Sequence, residues 1–262
     1  VYYGSAAGVS SNFWSVESNL SNSSFGNGAS SAGDINGDGY SDIVIGAPNY
    51  SNGQTYEGKV FVYLGSSAGL STTAAWSMES NANSGNFGTS VAAAGDVNGD
   101  GYADVLIGTS CYGQVSIFAG SSNGLSSTAL WSGASGSSCG EKVSGAGDVN
   151  GDGYSDILVG APSYSNGQSN EGSAALYLGS ASGPATSSSW FLESNQANAY
   201  LGIVAGVGDV NGDGFGEVMV GAAQYDNGQT DEGAAFLYLG SGSGLGSTAV
   251  WTAESDQIAA KF

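Results

Sequence analysis

One nine-residue stretch is written four times and limits what the chain can become: Asp34-Ile-Asn-Gly-Asp38-Gly-Tyr-Ser-Asp42. The copies start at Asp34, Asp96, Asp148 and Asp209, and the last reads Asp209-Val-Asn-Gly-Asp213-Gly-Phe-Gly-Glu217. Oxygen-bearing side chains recur at positions 1, 3, 5 and 9, with glycine at 6. A short loop wraps a hard cation in this way. Side chains 1, 3 and 5 and the carbonyl of residue 7 turn inward, and a carboxylate at 9 closes the shell. The expected ligands are Asp34, Asn36, Asp38, Tyr40 and Asp42, then Asp96, Asn98, Asp100, Tyr102 and Asp104. The later copies supply Asp148, Asn150, Asp152, Tyr154 and Asp156, then Asp209, Asn211, Asp213, Phe215 and Glu217. About four Ca²⁺ ions are expected, one per loop. An Asx turn that only shapes a hairpin would explain one or two of these acids, not four sets at a fixed spacing.

The loop is like the first half of an EF-hand loop and then departs from it. Position 12 is Ile45, Ile107, Val159 or Val220, where an EF-hand has Glu and leads into a helix. Each of these residues lies in a short apolar, β-branched run that ends in Gly, the mark of a strand.

The 46 glycines fall at fixed places, as turns do, and 40 % of residues are apolar, so the composition is that of an all-β repeat chain and not of disorder. The formal net charge is -20, with three basic residues and no histidine. Twelve of the 23 acids stand in the four loops, three in each. Four Ca²⁺ ions would bring the charge from -20 to -12 (-20 + 8). Without a cation the clustered carboxylates repel, so folding is expected to depend on the ion. So acidic a chain is not expected to bind nucleic acid. It lacks histidine and arginine, the usual general base and oxyanion clamp, and no enzymatic role is expected. No apolar run is long enough to enter and cross a membrane.

The loops are spaced by 62, 52 and 61 residues, and each unit carries the same landmarks. A Phe-Gly or its equivalent precedes the loop: Phe25-Gly26, Phe87-Gly88, Cys139-Gly140, Leu201-Gly202. A strand ending Gly46-Ala47-Pro48 or its relic follows, then a strand such as Lys59-Val-Phe-Val-Tyr-Leu-Gly65, then a Trp. Four antiparallel strands repeated at about this interval describe a propeller blade. The order FG, D-x-N-x-D-G-x-x-D, GAP resembles the FG-GAP repeat of the integrin α-subunit propeller over nearly the whole chain. The resemblance implies Ca²⁺ in the hairpin between strands one and two, and adhesion or recognition of a protein or glycan at a loop face. It also implies an extracellular or cell-surface location. A lectin of the integrin-like propeller type, a structural surface subunit and a non-catalytic accessory domain of a secreted enzyme are the alternatives.

The fold class is therefore all-β, a β-propeller of four-stranded antiparallel blades. Residues 1–262 form one propeller segment, with a half-blade at 1–20 and full repeats at approximately 21–82, 83–134, 135–196 and 197–257. The chain opens on strands three and four of a unit and stops at Phe262, the Phe of a next Phe-Gly. An incomplete ring is expected, either a segment of a larger propeller or a chain that self-associates through its open blade ends.

The second unit is shortened: Asp96 to Gly120 spans 24 residues where Asp34 to Gly65 spans 31. Its Cys111, and Cys139 in the next Phe-Gly, have no counterparts in other units, which suggests one disulfide between blades; two free buried thiols are the other reading. Paired cysteines and the sequons at Asn19, Asn22 and Asn49 fit an extracellular setting. The five Trp residues are read as inter-blade packing, with a sugar platform as the sharper alternative. Glu17, Glu79, Glu193 and Glu254, each three residues after a Trp, are read as turn-capping carboxylates. The loops Asn52 to Gly58, Asn166 to Gly172 and Asn227 to Gly233 are structural hairpins or, on a rigid sheet, a binding surface.

Overall fold

The second strand of each unit is its most apolar piece, and it lies at the centre of the sheet. The computed structural model describes residues 1–6, 8–110, 113–134 and 142–262. Its first blade is β3 (Gly28–Gly33), β4 (Asp42–Ala47), β5 (Lys59–Tyr63) and β6 (Trp76–Glu79), hydrogen-bonded in that order. The second is β7 (Ser90–Gly95), β8 (Asp104–Gly108), β9 (Gln114–Phe118) and β10 (Trp131–Ala134). The third is β11 (Lys142–Gly147), β12 (Asp156–Ala161), β13 (Ser173–Tyr177) and β14 (Trp190–Glu193). The fourth is β15 (Leu201–Gly208), β16 (Glu217–Ala222), β17 (Ala234–Tyr238) and β18 (Trp251–Glu254). All neighbouring pairs are antiparallel, and β8 and β12 are buried throughout because both of their faces are covered by adjacent blades. Among the described residues no helix is long and apolar enough to cross a membrane.

The apolar cores lie between blades. One cluster joins Leu106, Ile117 and Trp131 of the second blade to Val143, Ile157 and Tyr177 of the third. Trp14, Trp76, Trp131 and Trp190 each pack on an aromatic ring of the next blade: Tyr63, Phe118, Tyr177 and Tyr238, with centroids 5.0–5.3 Å apart. Each indole N–H also donates across that boundary, to the carbonyls of Ser71, Ser126, Ala185 and Gly246. The packing reading of these four tryptophans is thus correct. Trp251 has no following blade in residues 1–262 and is half exposed.

The glycines of FG and GAP meet each other. A Cβ on Gly46 would collide with the Gly88 carbonyl oxygen, and one on Gly160 with that of Gly202. The two motifs are therefore the two sides of one close contact between successive blades. The small residues of β3, β7, β11 and β15 have the same cause. These inner strands pack directly on one another, and a Cβ on Gly145 would lie 2.7 Å from the Ala93 carbonyl oxygen.

The N-terminal half-blade keeps the expected register but not the expected strands. Val1 and Trp14 exchange two main-chain hydrogen bonds of 2.8 Å, as the Val62–Trp76 pairing in the first blade leads one to expect. Instead of a long loop before the Trp, β1 (Tyr2–Ser5) and β2 (Gly8–Phe13) form one extended hairpin, so Trp14 stands just beyond strand four and not at its start.

Candidate metal centres

Each acidic loop joins strand one to strand two. A bulge at Gly33, Gly95, Gly147 or Gly208, with φ between 73° and 78°, turns the chain out of strand one just before the first Asp. Positions 4 and 6 also need positive φ, and glycine supplies it: Gly37 at 72° and Gly39 at 89° in the first loop. The first carboxylate then gathers the loop's amides. Asp34 Oδ1 accepts from Gly37 N at 2.7 Å and Asp38 N at 3.1 Å, and its Oδ2 accepts from Gly39 N at 2.7 Å. Asn36 Oδ1 accepts from Asp38 N, and Asp38 Oδ1 accepts from Tyr40 N. The same bonds recur at Asp96, Asn98 and Asp100, at Asp148, Asn150 and Asp152, and at Asp209, Asn211 and Asp213.

Position 9 divides the loops. Asp42, Asp104 and Asp156 are fully buried, and both oxygens of each accept a main-chain amide. For Asp42 the donors are Ile35 N at 2.9 Å and Gly65 N at 2.8 Å; Asp104 takes Val97 N and Gly120 N, and Asp156 takes Val149 N and Gly179 N. Burial raises all three carboxyls above the ordinary range despite these bonds, Asp104 and Asp156 to about 6. The amide bonds, led by that from Gly214, hold the solvent-facing Asp209 below the ordinary value. In the fourth loop Glu217 is one methylene longer. Its Oε2 accepts from Val210 N at 2.6 Å, while its Oε1 is buried with no partner. Among the described residues, Asp209, Asp213 and Glu217 alone bring three carboxylates together, one oxygen each within 4.8 Å of the others.

The residues fit a hard divalent cation. The donors are all oxygen, which selects against soft metals, and a buried carboxylate with an unpartnered oxygen, converging with two more carboxylates, is the electrostatic complement of a cation. The ninth-position Asp residues of the other loops keep lone pairs beyond those their amides use, since a carboxylate offers about four acceptor sites.

The loops are also tied to one another, which the motif alone does not reveal. The amides of Ala103, Ser155 and Gly216 donate to the carbonyls of Asp34, Asp96 and Asp148 in the preceding loop, at 2.8–3.0 Å. The position-7 ring leans on the position-4 glycine of that loop. A Cβ on Gly37 would lie 2.8 Å from the Tyr102 ring, and those on Gly99 and Gly151 would lie 2.7 Å from Tyr154 and Phe215. The aromatic type at position 7, redundant for a carbonyl ligand, was the available sign of this contact.

At the other ends of the strands, the loops following strand two strap the first and third blades to the next. Thr55, Tyr56 and Glu57 accept amides from Ser84, Asn86 and Phe87; Ser169, Asn170 and Glu171 accept from Asn198, Tyr200 and Leu201. Buried Glu57, Glu171 and Glu232 close their own loops by accepting the amides of Asn52, Asn166 and Asn227. The side-chain amides of those asparagines in turn donate to Glu79, Glu193 and Glu254, which confirms those glutamates as loop-holding groups. Lys59 also pairs with Glu79 at 2.8 Å. Cys111 and Cys139 lie outside the described residues.

Comparison with known proteins agrees with this architecture. A model of the FG-GAP repeat matches residues 25–63, and a model of the FG-GAP-like repeat matches residues 96–159 and 148–220. Integrin alpha-IIb of Mus musculus is 36 % identical over 143 residues, 49 % of this chain and 14 % of that protein. Integrin alpha pat-2 of Caenorhabditis briggsae is 29 % identical over 231 residues, 76 % of this chain and 18 % of that protein. Phosphatidylinositol-glycan-specific phospholipase D of Bos taurus is 31 % identical over 203 residues, 66 % of this chain and 24 % of that protein. The chain thus spans less than a quarter of the length of each of these relatives.

Proposed function

Because the chain belongs to the FG-GAP repeat family, we propose that it is a non-catalytic recognition propeller of an extracellular or cell-surface protein, stiffened by about four Ca²⁺ ions. One ion sits in each acidic loop, held by positions 1, 3, 5 and 9 and by the carbonyl at 7, the sets beginning at Asp34, Asp96, Asp148 and Asp209. The single observation that carries the metal is the convergence of Asp209, Asp213 and the buried Glu217, one carboxylate oxygen from each lying within 4.8 Å of the others. The ions neutralise carboxylates that burial and mutual repulsion otherwise disfavour, and so hold the hairpins from which the blades are built. The integrin relatives support adhesion through a protein ligand at a loop face. The phospholipase relative supports a second reading, an accessory domain beside a catalytic part elsewhere in a longer polypeptide. A disulfide between Cys111 and Cys139 completes the proposal.

The metal reading has a local test. Asp38→Ala removes a ligand from one loop only, at a cost of roughly 1–3 kcal/mol in millimolar Ca²⁺. Amide hydrogen exchange is expected to quicken in β3 and β4 and to stay unchanged in β15 and β16. Equal acceleration in all blades, or none, contradicts one ion per loop.

A further inference from the structure

The first and fourth blades build the same corner, and only one of them is filled. At the fourth blade, Gln196 reaches from the stretch after β14 onto the loop that follows β16. Its Nε2 donates to the Asp226 carbonyl at 2.9 Å, and its Oε1 accepts the Asp226 amide at 2.6 Å. One carboxamide thus satisfies both main-chain groups of one residue. Counting from the recurring landmarks of this chain's own repeats, Gln196 stands three residues after Glu193, and Leu20 stands three after Glu17. Asp226 stands five residues after Gly221, and Ser51 five after Gly46.

The two corners share their frame. Asn49 N donates to the Ser23 carbonyl at 3.1 Å, as Gln224 N donates to that of Ala199 at 3.1 Å. Tyr50 N donates to the Ala47 carbonyl as Tyr225 N does to that of Ala222, and Gly58 N reaches Tyr50 as Gly233 N reaches Tyr225. Ser51 Oγ accepts the Tyr56 amide as Asp226 Oδ1 accepts that of Asp231. Leu20 cannot make the Gln196 bonds. Neither the amide nor the carbonyl of Ser51 has a partner among the described residues. They border a cleft of about 450 Å³ between the stretch at 20–23 and the loop that follows β4, lined by Leu20, Asn22, Asn49, Tyr50, Ser51 and Tyr56.

We propose that this cleft is a receptor for a primary carboxamide, the side chain of a glutamine or asparagine presented by a protein ligand. Gln196 on Asp226 is the template for the bound state. The chemistry is selective. A primary carboxamide carries a carbonyl oxygen and an N–H on the same side, and can therefore engage the N–H and C=O of one residue together. The acetamido group of an amino sugar is a trans secondary amide, whose N–H and C=O point in opposite directions, and it cannot. A carboxylate has acceptors only and would leave the Ser51 carbonyl unpaired. Leu20 and the half-exposed Tyr56 ring offer apolar contact to the methylenes of the incoming side chain. The inference deepens the recognition role proposed above and rests on its protein-ligand reading.

The test follows the Ser51 amide in ¹⁵N–¹H spectra of the whole chain in Ca²⁺ buffer. The probes are acetyl-Gly-Gln-Gly methylamide, acetyl-Gly-Glu-Gly methylamide and N-acetylglucosamine. The glutamine peptide is expected to shift the Ser51 amide saturably, and the other two to leave it in place. Leu20→Gln is expected to abolish that response, because the new side chain fills the corner as Gln196 does. It should also raise the melting temperature by roughly 2–4 °C, the response of a domain this size to about one added net hydrogen bond. A shift with the glutamate peptide or the sugar that matches or exceeds that of the glutamine peptide, no shift with any probe, or a Leu20→Gln chain that still responds, overturns the proposal. Signals of the four acidic loops, followed as Ca²⁺ is added to the same sample, report the metal reading separately.

Discussion

Stripping calcium with EDTA lowers the melting temperature of the chain by at least about 10 °C, and adding Ca²⁺ back restores it. The size follows from linkage. Sites of the kind found in extracellular modules bind with dissociation constants of about 10⁻⁴–10⁻³ M, so at 10 mM Ca²⁺ each contributes roughly 1.4–2.7 kcal/mol. Four such sites sum to roughly 6–11 kcal/mol, and each kcal/mol moves the transition of a domain this large by about 2–4 °C. The metal-free chain should also respond to pH in a defined sense. Burial raises Asp104 and Asp156 to about 6 from 3.8, so the folded state binds more protons than the unfolded state between these values. The contribution of these two groups is full below about pH 4 and is lost as the pH rises through 6. In EDTA the transition is therefore higher at pH 5 than at pH 7. Scanning calorimetry in EDTA and in Ca²⁺ checks both, and coincident curves would remove the ion from the account.

The second large effect concerns the boundary between the second and third blades. Elsewhere the loop after strand two straps its blade to the succeeding stretch of chain, through three main-chain bonds per strap. The strap closes Thr55–Glu57 on 84–87, Ser169–Glu171 on 198–201, and Thr230–Glu232 on Ala259, Lys261 and Phe262. The second unit lacks the residues for such a loop, spanning 24 residues from Asp96 to Gly120 against 31 in the first unit. Cys111 falls in the shortened loop, and Cys139 takes the sequence position of Phe87, Leu201 and Phe262. We propose that a covalent bond replaces the missing strap. Closing a loop of this length contributes about 3–4 kcal/mol. Thiol titration of the chain unfolded without reductant should find no free thiol, and reduction should lower the denaturation midpoint. Two titratable thiols would contradict the bridge.

Much of this architecture is readable from the residues because its signals are local and repeated. Asp34 to Asp42 names its own loop, the run from Ile43 to Gly46 names the strand after it, and the Trp positions give the blade period. The contacts that cross between blades are not readable in the same way. Nothing near Gly46 says that its hydrogen faces the Gly88 carbonyl, and nothing near Asp34 says that its own carbonyl receives the Ala103 amide. Such pairs lie more than forty residues apart and leave only an absence of side chain, or an aromatic preference at position 7, in the sequence. The extended β1–β2 hairpin was hidden for a different reason. Gly4-Ser5 is a strand end in the repeat pattern, and here the strand runs on through Ser5, which pairs back on Gly8. The difference between Leu20 and Gln196 is a single substitution that no periodicity marks, and it becomes meaningful only when two corners of the fold are set side by side.

The central claim is that each acidic loop holds one calcium ion, and the direct measurement is the mass of the folded chain. Native mass spectrometry of the EDTA-stripped protein titrated with Ca²⁺ is predicted to resolve additions that stop at four, matching the loops at Asp34, Asp96, Asp148 and Asp209. A folded chain that takes up no calcium at millimolar concentration would contradict it.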